Sequence, residues 1–317
     1  MDDMTRHRTR ILPLILWCVC GVLPVVMADE QPAIKMGAQD YIEYQPGTLP
    51  LIIAAPHGGT LRPDGIPNRS FGRVAQDSFT QEQARVLADQ LEKQYGARPH
   101  LVICRLHRMK VDCNRELTEA AQGDPVAERA WNDFQGFIKE AREAVLRRHG
   151  EGLFIDLHGH RHPEARVELG YLLTRDDLAV SDAELDANGG FRKKASFRTL
   201  AGRTTASFAD LVRGGTSLGA LLETRGFPSI PSPVSAAPKE GEEYFHGGYN
   251  TSTHGSRNGG SICGLQIECP FKGVRDREEN REKFAIALAQ SLGQWWRAHY
   301  GRPLSPKPAA ASTSPSQ

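Results

Sequence analysis

Phe154-Ile155-Asp156-Leu157-His158-Gly159-His160 is an apolar run of strand length that ends in two histidines and a glycine. In an open α/β sheet the carboxyl end of a strand faces the crevice where ligands bind, which is where a metal site would sit. Leu51-Ile52-Ile53-Ala54-Ala55-Pro56-His57-Gly58-Gly59 repeats the design, with an apolar strand, a histidine, and glycines that let backbone and ligand come close. Taken singly, each histidine reads equally well as a hydrogen-bonded residue in a turn. Two strand ends of one kind point to a single shared centre.

Working outward, Arg6, Arg8 and Arg10 precede an apolar run from Ile11 to Met27, and Val26-Met27-Ala28 places small residues at the −3 and −1 positions of a cleavage site. Residues 1–28 therefore read as a secretory signal peptide. The run contains Pro13, Gly21 and Pro24 and is short for a membrane span, which argues against a retained anchor. The expected location is secreted or periplasmic, with no membrane attachment after cleavage. Removing three basic and two acidic residues takes the formal net charge from +1 to zero, so nothing points to a nucleic-acid partner. Cys104, Cys113, Cys263 and Cys269 remain, with no Cys-x-x-Cys spacing; they read as up to two bridges or as buried thiols.

The mature chain of about 290 residues is long enough for a core without disulfides. Strand patterns at Leu51–Ala55, Leu101–Leu106, Leu169–Leu173 and Ile262–Cys269, with a short edge strand at Tyr41–Tyr44, are interleaved with helical periods. The helices are expected to open near Asp77, to run from Ala127 to His149, to fill Ser207–Arg225 with a split near Gly214-Gly215, and to close the chain over Arg277–Tyr300. Residues 178–194 read as polar and irregular, and Gly247–Gly260 as a long loop of the kind that carries binding residues. The alternation predicts one three-layer α/β/α domain over residues 29–302, around a mainly parallel or mixed sheet. Residues 303–317, rich in Pro, Ala and Ser, read as a disordered tail.

His57, His158 and Glu268 stand at three strand ends. A hydrolytic zinc site needs three protein ligands, an open position, and a carboxylate free of the metal to take and return a proton. The two histidines supply two ligands and Glu268 the base. Asp77 is the first choice for the third, although an aspartate at a helix start is also a common cap. Asp64 and His160 are the substitutes, and His160 reads equally well as a residue supporting a ligand. Arg115 offers the planar fork that fits a carboxylate, and Arg105 or Arg108 could hold a second carboxylate or an oxyanion. Asp112 is a candidate partner for Arg115 or a histidine. His162 reads as a solvent-facing loop residue, and His254 and Arg257 as residues of the glycine-rich loop within reach of substrate.

Taken together, Pro56-His57-Gly58-Gly59, Asp77, Asp112-Cys113-Asn114-Arg115, Asp156-Leu157-His158-Gly159-His160, Gly247-Gly248-Tyr249-Asn250, His254-Gly255 and Gln266-Ile267-Glu268 resemble the N-formylglutamate amidohydrolase family over roughly Leu51 to Trp296. That family is similar in fold to the zinc carboxypeptidases. The resemblance implies zinc at His57 and His158, with Asp77 standing where those peptidases place an acidic ligand. Their His-x-x-Glu pair is absent, since His57-Gly58-Gly59-Thr60 lacks the acid. It further implies that Asn114 and Arg115 grip a substrate carboxylate, that Glu268 is the general base, and that Tyr249 lies over the substrate.

The resulting expectation is an exported zinc-dependent hydrolase. It would cleave an amide bond in a small molecule or peptide that carries a carboxylate: an N-acyl amino acid, an N-formylglutamate-like compound, or a γ-glutamyl or cell-wall peptide. The alternatives are a metallocarboxypeptidase, or a non-catalytic binding protein that keeps the fold and the carboxylate clamp.

Overall fold

Leu51-Ile52-Ile53-Ala54-Ala55 forms strand β3, and every one of its side chains is buried. Because strand side chains alternate, Leu51, Ile53 and Ala55 enter the core on one face of the sheet, while Ile52 and Ala54 enter a second core on the other. Such double burial requires helices on both sides. The computed structural model describes residues 33–306. The expected signal peptide and the part of the expected tail beyond residue 306 lie outside the described residues.

The sheet has eight strands: β1 (Lys35–Met36), β2 (Ile42–Gln45), β3, β4 (His100–Cys104), β5 (Gly152–His160), β6 (Val167–Gly170), β7 (Ser229–Ile230) and β8 (Ile262–Pro270). Their spatial order is β1-β2-β4-β3-β5-β8-β6-β7. The central β4, β3, β5 and β8 are parallel, whereas β2 runs antiparallel to β4 and β6 antiparallel to β8, so the sheet is mixed. From β3 the chain first adds β4 on one side and then returns to add β5 on the other. A switch point of this kind opens a crevice at the carboxyl ends of the strands. His57 follows β3, and the β5–β8 register sets His158 opposite Glu268.

Helices α1 (Thr80–Tyr95) and α11 (Glu278–Tyr300) cover one face, and α3 (Pro125–His149) covers the other. Asp124 accepts hydrogen bonds from Val126 and Ala127 at the start of α3, Pro125 occupies its first turn, and Gly150 ends it in the left-handed region at φ 76°. The short α2 (Leu117–Ala121) precedes α3.

Several boundaries differ from the sequence reading. Residues 174–201 are ordered as α4 (Arg175–Leu178), α5 (Asp182–Ala187), α6 (Gly189–Lys194) and α7 (Arg198–Ala201). Thr174, Ser181 and Asn188 cap the first three; helices of one or two turns are too short to carry an apolar period, so local capping marks them instead. The pair α8 (Phe208–Arg213) and α9 (Leu218–Glu223) splits at Gly214-Gly215, as the pattern indicates. Within the glycine-rich loop lies α10 (Tyr249–His254). Strand β6 stops at Gly170 because Leu172 turns out of the sheet at φ 65°. Past residue 302, Leu304 packs into the core, so the packed chain extends beyond the expected boundary. The four cysteines are free and buried. No helix among the described residues is long and apolar enough to cross a membrane.

Gly159 shows how tightly the crevice is built. Arg275 is fully buried and donates to the carbonyls of Cys269, Ser78 and His160, and a Cβ at Gly159 would fall within its guanidinium. Because that guanidinium is tied on three sides, Gly159→Ala should destabilise the protein by about 1–3 kcal/mol. Urea unfolding monitored by circular dichroism should show a lower midpoint with an unchanged slope; a wild-type midpoint would contradict the packing account.

Candidate active site

Parallel pairing of β3 with β5 sets His57 and His158 side by side, and their Nδ1 atoms are 3.1 Å apart. The chain then loops from His57 to Asp77, whose N–H donates to the His57 carbonyl at 3.1 Å. This turn brings Asp77 Oδ2 to 3.4 Å from His57 Nδ1 and 3.2 Å from His158 Nδ1. Helix α1 starts only at Thr80, with no side-chain cap; the backbone carbonyl of Asp77, not its carboxylate, meets the Thr80 N–H and hydroxyl. The carboxylate is thus free of capping duty.

Three buried donor atoms therefore lie 3.1–3.4 Å from one another. Ligand atoms bonded at about 2.0–2.1 Å to a tetrahedral zinc stand roughly 3.3 Å apart, so the donor set fits such an ion without rearrangement. His57 Nε2 hydrogen-bonds Asp112 Oδ1 at 2.7 Å, and His158 Nε2 lies 2.9 Å from Asp156 Oδ2 as a close charge contact without hydrogen-bond geometry. The carboxylate on the far nitrogen of His57 leaves its Nδ1 as the lone-pair donor, as is usual for metal-bound histidine. Asp112 is itself held by Arg108 Nε at 2.9 Å. The Asn114 amide lies 3.1 Å from His158 Nε2, and its Oδ1 accepts from the Asn250 N–H at 2.8 Å.

The electrostatics fit a cation at the centre. Burial opposes a charge on His158, yet Asp156 and Asp77 push its affinity for a proton well above the ordinary histidine range. Burial likewise opposes ionisation of Asp77, but the two histidines hold its carboxyl far below the usual value. Asp112 is held well down against burial, chiefly by His57 and then by Arg108.

Glu268 faces the same cavity, a space of about 160 Å³ also lined by Arg73, Arg108, Arg115, Phe245 and Gln266. Gln266 Nε2 donates to Glu268 Oε1 at 3.0 Å, and Oε2 has no hydrogen-bond partner among the described residues. Burial raises the Glu268 carboxyl to about 8; His158 opposes the rise, while Asp77 and Glu168 add to it. Arg108 Nη1 is 3.8 Å from Asp77 Oδ1, which puts a fixed positive charge beside the donor cluster. Arg115 donates from Nε to Glu119 at 3.1 Å and from Nη1 to the Asn114 carbonyl at 2.7 Å, leaving Nη2 uncommitted on the cavity wall.

The remaining sequence candidates fall elsewhere. Asp64 is exposed in a turn, outside the donor cluster. His160 lies two residues past His158, but its Nδ1 accepts from the His162 N–H at 3.1 Å and its Nε2 donates to the Arg166 carbonyl at 2.9 Å. It belongs to a second group with His162 and Glu168, whose polar atoms other than His162 Nε2 are taken up by hydrogen bonds. His162 is therefore not a solvent-facing residue. Tyr249 packs on Trp131 with ring centroids 6.1 Å apart, away from the cavity wall. His254 is buried against Phe154 and pairs with Gln135 at 2.6 Å, so it supports α10 and does not reach the cavity. Arg105 bonds to the Asp40 carbonyl, and Arg257 is exposed on the loop. One Gly-x-Ser-x-Gly run occurs, Gly215 to Gly219, but Ser217 is a fully buried cap of α9 with no strand before it.

Asp156, Arg73, Phe245 and Gln266 are the contributors that sequence reasoning passed over. Asp156 and Gln266 each lie two residues before a singled-out residue on the same strand, so the period-two rule could have placed them.

No protein-family model matches the chain, and no curated protein does. Similar solved structures include N-formylglutamate amidohydrolase from Ralstonia eutropha JMP134, at 15% identity over 80% of this chain and 96% of that one, with a TM-score of 0.48. A gene product of Agrobacterium tumefaciens is 12% identical over 82% of this chain and 95% of its own, with a TM-score of 0.46. The N-acetylmuramyl-L-alanine amidase Ami1 from Mycobacterium abscessus is 9% identical over 77% and 97%, with a TM-score of 0.36.

Removing the backing carboxylates tests the donor geometry without touching a donor. Asp112→Asn and Asp156→Asn should each lower zinc affinity by about 10- to 100-fold. Competition against a chromophoric chelator measures this directly. Unchanged affinity in both variants would mean that these carboxylates do not orient ligands.

Proposed function

We propose that the protein is an exported, zinc-dependent hydrolase of an amide bond in a carboxylate-bearing substrate. The observation that carries this reading is the cluster of His57 Nδ1, His158 Nδ1 and Asp77 Oδ2 at tetrahedral-edge spacing, facing a cavity shared with a buried carboxylate that has a free oxygen. Bound zinc would polarise the substrate carbonyl and lower the pKa of a water.

Each surrounding residue then has a task. Glu268, ionised once the cation's charge offsets the burial that raises its carboxyl, takes the proton from the attacking water through Oε2 and returns it to the leaving amine, while Gln266 holds Oε1 and fixes the carboxylate plane. Arg108, held by Asp112, faces the negative charge that develops on the carbonyl oxygen. Arg115 binds the substrate carboxylate through its uncommitted edge, and its bond to Glu119 sets the direction of the fork. N-acyl amino acids and γ-linked or cell-wall peptides all present an amide near a carboxylate. Export through the amino-terminal segment favours the polymeric sources over a soluble metabolite.

Zinc-loaded protein should hydrolyse such amides and should spare analogues whose carboxylate is blocked as the primary amide. Glu268→Gln should keep its zinc, because the carboxylate is outside the donor cluster, and should lose turnover by about a hundredfold or more. One preparation assayed for zinc, melting temperature and turnover checks all three. Normal turnover with zinc in place would remove Glu268 from the chemistry, and loss of zinc would make it a ligand.

A further inference from the structure

A second compartment of about 230 Å³ adjoins the cavity, with Asp77, Gly159 and Phe245 lining both. Two arginines flank this space, and both are exposed. The Arg73 guanidinium lies 5.0 Å above the Phe245 ring, and that of Arg161 lies 3.5 Å above the Phe271 ring. Neither has a hydrogen-bonded or ion-paired carboxylate among the described residues. Stacking on a ring fixes a guanidinium plane while leaving its N–H edge open to a planar anion.

The platform under Arg73 is itself anchored. Glu168, fully buried, accepts the Phe245 N–H at 2.8 Å through Oε2 and meets His162 Nδ1 at 2.8 Å through Oε1, and the His162 ring lies 4.6 Å from that of Phe245. The third arginine of the compartment, Arg275, is consumed by backbone carbonyls. Of the two carboxylates on the wall, Asp77 is turned to the histidines and Glu243 is exposed, 3.8 Å from His162 Nε2. Arg73 lines both compartments, so the two spaces are neighbours within reach of one side chain.

From these observations we infer that the second compartment, which Arg115 does not line, is a subsite for a second carboxylate of the substrate, received by Arg73 and Arg161. This rests on the proposed function and narrows it: the substrate carries anionic groups on both sides of the bond that is cut, as in an acidic peptide or an amide-linked polymer of acidic units. A substrate with a single carboxylate leaves the two stacked arginines without an anion.

Calorimetric binding to zinc-loaded Glu268→Gln protein tests this without turnover. The probes are succinyl-, glutaryl- and adipoyl-glycine, each paired with the acyl-glycine of equal length that lacks the distal carboxylate. At one length the diacid should bind on the order of tenfold more tightly than its partner, as a charge-assisted forked contact provides. Adding Arg73→Gln and Arg161→Gln together should erase that advantage and leave the melting temperature near its starting value, because both side chains are exposed; Arg161→Gln alone, at a residue that lines only the second compartment, should reduce the advantage and leave the monoacid affinity unchanged. Adding Arg115→Gln instead should weaken diacid and monoacid alike. If no length discriminates, or the advantage survives without Arg73 and Arg161, the subsite is wrong while the Arg115 clamp stands. If no probe binds at all, the subsite and the carboxylate-bearing substrate class both fall.

Discussion

The approach of two imidazole nitrogens and one carboxylate oxygen to 3.1–3.4 Å, in the buried interior, is the constraint on which the rest of the site depends. Two lone-pair donors and an anion at that separation are unfavourable unless a shared cation sits among them. Without metal, the raised proton affinity of His158 and the depressed carboxyl of Asp77 express this demand. The surroundings follow from it. Asp112 and Asp156 face the far nitrogens, Arg108 holds Asp112, and Asn250 bonds to both Asn114 and Asp156.

Sheet topology delivers the distances. The adjacency of β3 and β5 fixes the two histidines, and the pairing of β5 with β8 places Glu268 opposite His158. β5 and β8 each carry two such residues on one face, Asp156 with His158 and Gln266 with Glu268, so each of the later pair has a polar neighbour two positions earlier. A buried polar network of this size is costly, and partial satisfaction would make it more so. Cores on both faces of the sheet, with α1 and α11 on one side and α3 on the other, hold it in place. The glycine-rich segment serves the same end: α10 ties Asn250 to Asn114 and anchors His254, while Gly247 and Gly248 let the chain pass along the cavity wall.

The parallel strands and long helices were legible in the sequence because their apolar periods run for several turns or residues and end at glycines, as at Gly150 after α3. His57, His158 and Glu268 could be singled out because each ends such a strand. What the sequence hid was of two kinds. Short helices such as α5 and α6 are defined by caps rather than by period. Residues such as Tyr249, His254 and Asp64 lie in glycine- and proline-rich stretches without a sustained period, where spacing says nothing about direction; the structure turns the first two into packing on α10 and leaves the third in solvent. Asp77 was ambiguous for a different reason, since an aspartate before a helix can cap it or leave it. Only the fold back from Phe79, at φ 66°, shows which way the carboxylate goes.

X-ray absorption at the zinc edge of the metal-loaded wild-type protein tests the central claim most directly. The account predicts one zinc with two imidazole ligands and only nitrogen or oxygen neighbours at about 2.0–2.1 Å. A sulfur shell near about 2.3 Å would instead place the metal at the buried cysteines. Either that result or a spectrum without imidazole scattering would contradict a centre built from His57, Asp77 and His158.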